Sequence, residues 1–214
     1  KVLWQKEYIL SEFEPLIGLR NYSASNVDGM VNEILQTEEQ KSIVYSDFIG
    51  FTGSKHYFNS HTNYPYLVSL QSNLYKCFLT KSWYLGNKNG ITGLIHEAEL
   101  LSESKGILKR ETYKRLHAFW HFTNELKLFS EVLHGKKFAV TIASCSPKNE
   151  LKFYSIVNLY HPHSIDHSFA SDGMGLTPGI KTYDNQWEVR GHKNRIIYIS
   201  KDELAIINKV FEDD

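Results

Sequence analysis

The stretch Phe138-Ala139-Val140-Thr141-Ile142-Ala143 decides the fold, because it is short, continuous and mostly apolar. Such a run is typical of a strand that is covered on both faces of a sheet. A second short run, Ile91-Thr92-Gly93-Leu94-Ile95, follows the turn at residues 87–90 and also suits a buried strand. The sheet of the protein is therefore expected to contain both runs.

The segments around these runs alternate between helical and extended patterns. A helix that Ser72 can cap and Gly86 can end precedes the first run, and another helix at about residues 107–116 follows it. Further strands are predicted at residues 119–125, 151–159 and 195–200. The order helix, strand, helix, strand, strand predicts an α/β protein.

The two ends of the chain differ from this central part. The first sixty or so residues read as mostly helical, with a capping-box-like start at Ser25-Asn26-Val27-Asp28. An earlier helix around residues 8–20 is bent or ended by Pro15. Residues 161–190 have little periodicity and are predicted to be mostly loop, and Ser200-Lys201-Asp202-Glu203 is a capping box that starts a last helix.

Composition restricts the function classes. Lys+Arg and Asp+Glu both number 24, so the formal net charge is zero. A protein that binds DNA alone usually carries a basic excess that neutralises phosphates. The overall charge therefore disfavours DNA binding by this chain in isolation, although it leaves a local basic patch open.

The cellular compartment is inferred from cysteine content and hydropathy. Two cysteines, Cys77 and Cys145, are too few for a disulfide framework and favour a reducing compartment. No apolar run approaches the roughly 20 residues of a membrane helix. The chain opens Lys1-Val2-Leu3-Trp4 without an initiator Met or a signal-peptide pattern, so we expect a cytoplasmic protein and an internal fragment of a larger one.

Two blocks of sequence carry a family resemblance. The first contains residues 71–79 (Gln-Ser-Asn-Leu-Tyr-Lys-Cys-Phe-Leu), Trp83 and residues 89–96 (Asn-Gly-Ile-Thr-Gly-Leu-Ile-His). The second contains residues 122–129 (Phe-Thr-Asn-Glu-Leu-Lys-Leu-Phe) and 131–137 (Glu-Val-Leu-His-Gly-Lys-Lys). In this order the blocks resemble gamma-type adenine-specific (N6) DNA methyltransferases of the large single-chain restriction–modification and phage-defence kind.

The resemblance implies a position within the methyltransferase fold. The chain would form the C-terminal half of a Rossmann-like fold, after the Asn-Pro-Pro-aromatic motif. Residues 1–63 would be a helical insertion, residues 64–160 the second half of the sheet, and residues 161–214 a loop-rich extension that ends in a strand and a helix. In that family the last strand runs antiparallel to the rest. We therefore expect the runs beginning at Ile91 and Phe138 to be neighbours of opposite polarity that form one wall of a pocket for an extruded purine.

The resemblance also implies a function for the parent protein, namely methyl transfer from S-adenosylmethionine to N6 of adenine in DNA. The Asn-Pro-Pro-aromatic motif and a Gly-rich S-adenosylmethionine loop do not occur in this sequence. No catalytic, cofactor or metal residue is therefore assigned, and no cofactor is expected on the fragment itself. The expected partner is DNA, through the parent protein, and an exposed sheet edge allows self-association.

The expected site residues follow from how such enzymes reach their target. An enzyme that modifies a base extrudes it from the stack and holds it against an aromatic face. Leu133 stands where relatives place the stacking aromatic, so Phe129 or His134 is expected to take that role. Lys136 and Lys137 are expected to contact phosphates that flank the extruded nucleotide. The alternative for each is structural: Phe129 as core, and the other three as turn residues.

Other interpretations of the sequence remain open. The ligand-like spacing of His161, His163, Asp166 and His167 allows a metal site. The stretch Asp172-Gly173-Met174-Gly175 has the composition of a phosphate loop but lacks the preceding strand and following helix. The chain as a whole could be a non-catalytic nucleic-acid-binding module or a protein-interaction module.

Overall fold

A computed structural model of the chain describes residues 10–11, 13, 22–68, 70, 73–101 and 106–211. The chain divides into two compact units, Lys1–Cys77 and Phe78–Asp214. Ser72, and most of the helix that the sequence predicts around residues 8–20, lie outside the described residues. None of the described helices is both long enough and apolar enough to cross a bilayer.

The described part of the first unit is mostly helical, as its sequence predicts. Helix α1 (Ala24–Ile34) begins two residues earlier than expected, because Ser23 is its cap and accepts a hydrogen bond from the amide of Asn26. Helix α2 (Glu38–Asn59) begins with a complete capping box between Thr37 and Gln40. Helix α3 (Leu74–Leu85) starts in this unit and continues into the second.

The second unit contains a five-stranded mixed sheet. Its strands are β1 (Ile91–Glu97), β2 (Leu116–Thr123), β3 (Lys137–Ser144), β4 (Lys152–Leu159) and β5 (Ile197–Ser200), in the order β1-β3-β2-β4-β5. Strand β3 is antiparallel to both β1 and β2, β2 is parallel to β4, and β4 is antiparallel to β5. The α/β fold class is confirmed.

The two runs that decide the fold are neighbours of opposite polarity, as expected. Their register pairs Ile91 with Ser144 at one end and Glu97 with Phe138 at the other. Strand β2 begins three residues before its predicted start, at Leu116, because a bulge after Leu116 lets this buried residue remain paired with Ala143. The strands at residues 151–159 and 195–200 are confirmed within two residues.

Both faces of the sheet are covered, which explains why β3 is apolar along its length. One face carries Leu116, Phe119 and Phe153, with side chains from helices α4 (Ile107–Tyr113) and α6 (Lys201–Phe211) packed against them. The other face carries Trp120, Phe122 and Ile156, with Ile165 of helix α5 (His163–Ala170) packed against them. Each fully buried Phe or Leu contributes on the order of 1.5–3 kcal/mol to folding.

Residues 161–190 are mostly loop, as predicted, but they also contain one helix that the sequence did not indicate, α5. Its fully buried positions are two serines, Ser164 and Ser168, next to the partly buried Ile165. The Ser168 hydroxyl donates to the carbonyl of Ser164, and the Ser164 hydroxyl donates to the carbonyl of Val189. Its large apolar side chains are one pair, Ile165 and Phe169, so the helical period in the sequence is short. The last helix, by contrast, begins at the predicted capping box, where the Ser200 amide donates to the Glu203 carboxylate over 2.8 Å.

Candidate functional site

The loop between β2 and β3 carries three of the four expected site residues and is organised by Asn124. The side-chain amide of this fully buried residue donates to the carbonyls of Phe129 and Val132, each over 2.9 Å. Its side-chain oxygen accepts from the Phe129 amide over 3.1 Å, and its backbone amide donates to the Lys136 carbonyl over 2.9 Å. The side chain and backbone of this one residue therefore fix the path of residues 124–136.

Phe129 is held by the loop but keeps part of its ring exposed. Its ring meets that of Phe138 edge-on, with centroids 5.0 Å apart and planes at 84°. Phe138 in turn stacks on Phe122 at 4.9 Å. The exposed fraction of Phe129 is 40%, so the residue is anchored to the core and still presents ring surface outward.

His134 lies near the tip of the same loop and is more exposed than Phe129. Its Nδ1 lies 3.6 Å from the carboxylate of Glu125, and 74% of its side chain is accessible. Gly135 follows with φ of +75°, a backbone conformation that favours glycine over any residue with a Cβ. This turn directs the chain from His134 into the two lysines.

Lys136 and Lys137 line a cavity of about 580 Å³. Because β1 and β2 both run antiparallel to β3, their carboxyl ends lie beside the start of β3. The cavity lies at this end of the three strands. Glu97 and Glu99 also line it, so basic and acidic residues border the same cavity. Such a wall can donate to phosphate or base oxygens and accept from amino groups.

His121 completes the polar lining and was not among the predicted residues. Its Nδ1 is buried and has no hydrogen-bond partner among the described residues. Burial, and then the nearby charge of Lys137, hold the pKa of His121 below its usual 6.5. The imidazole is therefore neutral at pH 7.

His96 lies on the same face of the sheet as His121, since both pair with Ala139 in the register. Its Nδ1 is 2.7 Å from the carbonyl of Glu97, and its Nε2 is 3.3 Å from the hydroxyl of Thr141. A carbonyl can only accept, so Nδ1 carries the proton and Nε2 accepts from the hydroxyl. Burial also lowers the pKa of His96, which makes it a neutral structural residue behind the cavity.

The structure separates the expected residues into two groups around one loop. Phe129 packs on the face of the sheet that carries Phe122 and Phe138. The cavity that contains Lys136 and Lys137 opens on the opposite face, with Phe119 and His121, because neighbouring strand residues alternate between faces. The base-stacking and phosphate assignments stay predictions. Their residues lie on opposite faces of the sheet, at the end where β2 finishes and β3 begins.

The alternative metal site and phosphate loop find little support among the described residues. The rings of His161 and His163 are 4.4 Å apart and those of His163 and His167 are 5.8 Å apart, but no group of three potential ligands is arranged to hold a metal ion in the described part of the chain. Gly173 and Gly175 follow helix α5 and not a strand, so the stretch that contains them is not a phosphate loop of the strand–loop–helix kind.

No protein-family model matches the sequence, and comparison with curated proteins finds no significant match.

Proposed function

We propose that residues 1–214 contribute the second half of the catalytic fold of a DNA methyltransferase. In this proposal the parent enzyme transfers a methyl group from S-adenosylmethionine to N6 of adenine, as part of a restriction–modification or phage-defence system. The observation that carries the proposal is the position of β3, which lies antiparallel between β1 and β2. The last strand of the resembling family is likewise antiparallel to the rest and preceded by a turn with aromatic and basic residues, although here β4 and β5 follow β3 in the chain.

The free edge of the sheet gives further support. Strand β1 is the edge strand on the side of β3, and its Ile91 and Ile95 are 64% and 60% exposed. An edge strand with exposed apolar side chains is a template for further strand pairing. In the proposal the first half of the methyltransferase sheet adds at this edge. Self-association through the same edge remains the alternative prediction.

The residues of the loop then have distinct tasks. An adenine inside the duplex is out of reach, so it must be extruded and stacked against a ring, for which Phe129 or His134 is available. Such stacking contributes about 1–3 kcal/mol per base. Lys136 and Lys137 contact phosphates next to the extruded nucleotide and hold the DNA in register.

In the proposal the methyl donor is bound elsewhere in the parent protein. The carboxyl end of β1 leads into a 3-10 helix at Ala98–Leu101 and not into a Gly-rich turn, so the described residues do not fit an S-adenosylmethionine loop. In the proposal the donor site and the Asn-Pro-Pro-aromatic motif belong to sequence outside residues 1–214. No catalytic step is assigned to this chain beyond holding the base and the DNA backbone.

The test is methyl transfer by the polypeptide that contains these residues together with the catalytic motif. Transfer of a labelled methyl group to plasmid DNA is compared between the wild type and the triple variant Phe129→Ala/His134→Ala/Lys136→Ala. Loss of one stacking contact of 1–3 kcal/mol lowers the rate by about 5- to 150-fold. The control Lys88→Ala, on an exposed turn, leaves the rate unchanged.

Two results contradict the proposal at different levels. A triple variant with wild-type transfer would mean that the loop residues are wrongly assigned. A wild type that binds DNA in a salt-dependent manner but transfers no methyl group would instead identify a non-catalytic nucleic-acid-binding module.

A further inference from the structure

We propose that a groove between helices α4 and α6 binds a small amphipathic anion, meaning a carboxylate, sulfonate or phosphate on an aromatic or aliphatic body. The groove has a volume of about 410 Å³ and is separate from the cavity beside the β2–β3 loop. This inference is independent of the proposed methyltransferase function, because it uses none of the loop residues.

The rim of the groove is positively charged. Four cationic side chains line it, from Lys109, Arg110, Lys114 and Lys201, and none of the described lining residues is acidic. The chain has no net charge, so this concentration of cations is a local feature and not a consequence of composition. An anion that enters the groove meets ammonium and guanidinium donors from two helices.

A neighbouring carboxylate does not cancel this charge. Glu111 lies 2.6 Å from the ammonium of Lys114 and 4.0 Å from Nε of Arg110, and it is also bound to the buried guanidinium of Arg115 over 2.8 Å. Arg115 additionally donates to the carbonyls of Glu111 and Cys145 and lies over the Trp83 ring at 4.6 Å. Because this one carboxylate is shared among three cations, the rim keeps a positive excess.

The floor of the groove is apolar and is fixed by the core. Leu151 and Leu204 line the groove and also pack against the core cluster around Phe153. Tyr113 stacks on Phe153 with centroids 5.8 Å apart. Ile207 adds an apolar side chain that is 41% exposed. An anion as small as inorganic phosphate leaves this floor uncovered, whereas a ligand with an apolar body covers it.

The size of the groove selects the ligand class. Small-molecule sites commonly occupy about 300–1,000 Å³ and combine an apolar lining with a few polar groups. The rim cations distinguish this groove from a general apolar patch, since they favour a ligand with negative charge at one end. A nucleic-acid backbone can pair its phosphates with the rim cations but places no apolar group on the floor. We therefore assign the groove to a small molecule.

A pair of fluorescent probes tests the assignment on the 214-residue protein. The anionic probe is 8-anilinonaphthalene-1-sulfonate, and the neutral probe is N-phenyl-1-naphthylamine, which has the same apolar body without the sulfonate. Titration of both probes is compared between the wild type, Arg110→Gln/Lys201→Gln, and Ile207→Ser. The control is Lys209→Gln, which removes a cation from α6 outside the groove lining.

The expected pattern separates charge from apolar contact. The wild type binds the anionic probe saturably and more tightly than the neutral one. Arg110→Gln/Lys201→Gln lowers the affinity for the anionic probe by about tenfold and leaves the affinity for the neutral probe unchanged. Ile207→Ser lowers the affinity for both probes, and Lys209→Gln lowers the affinity for neither. Unchanged circular dichroism spectra show that the exposed substitutions preserve the fold.

Three outcomes overturn the inference. The first is anionic-probe binding that is equal in the wild type and the double Gln variant. The second is an equal loss of both probes in that variant, which would indicate a general apolar patch. The third is displacement of the bound anionic probe by a single-stranded oligonucleotide more readily than by dodecyl sulfate, which would make the groove a nucleic-acid contact.

Discussion

Asn124→Ala is the substitution that most sharply tests how the loop between β2 and β3 is held. It removes three hydrogen bonds, two donated to the carbonyls of Phe129 and Val132 and one accepted from the Phe129 amide. A typical intramolecular hydrogen bond contributes about 1 kcal/mol net, which gives about 3 kcal/mol for the three. Phe129 and Val132 are 40% and 41% exposed, so water replaces part of this loss. We expect a destabilisation of about 2–3 kcal/mol.

The assay combines urea unfolding with amide hydrogen exchange. The Phe129 amide loses its acceptor, so its exchange is expected to accelerate by at least about tenfold, which corresponds to roughly 1.4 kcal/mol. Asn89→Ala is the matched control, because Asn89 lies on an exposed turn of the same unit. Wild-type stability together with wild-type exchange at Phe129 would show that Asn124 does not organise the loop.

Two further predictions concern stability. The free energy of unfolding is expected to decrease as the pH falls below 6.5. Burial lowers the folded-state pKa of His96, His117 and His121, so the unfolded chain binds protons first. Urea denaturation between pH 8 and 5 measures the loss, which is up to about 1.4 kcal/mol per pH unit for each histidine, and a free energy that does not change with pH contradicts the prediction. Gly191→Ala is expected to destabilise the protein by several kcal/mol in the same assay, because a Cβ there would lie 2.2 Å from the Ser168 amide nitrogen, whereas Gly179→Ala, in open space, is the tolerated control.

Elements with a local signal could be predicted from the sequence. The apolar runs at Ile91 and Phe138 predict strands because each residue's own hydropathy carries the information. The capping box at Ser200 predicts the start of α6 because its two partners are three residues apart. Helix α5 has no such signal, since its buried contacts depend on Val189, which lies 25 residues after Ser164.

The cavity residues show the limit of sequence reasoning more clearly. The roles of Lys136 and Lys137 are implied by the family resemblance, which has basic residues at the turn before the last strand. Glu97 and His121 belong to different strands, and only the register of β3 brings them to one cavity. In the sequence His121 reads as one polar position in an alternating strand. Its side-chain Nδ1 becomes informative once it is known to be buried and to have no partner among the described residues.

The most direct test of the central claim is base analysis of DNA from a host that lacks its own adenine methylation. The host expresses the complete reading frame that contains residues 1–214, and its DNA is digested to nucleosides and measured by mass spectrometry. We predict that N6-methyladenine appears with the wild type and is strongly reduced with Phe129→Ala/His134→Ala/Lys136→Ala. DNA without N6-methyladenine, or with methyl groups on cytosine alone, would contradict the account.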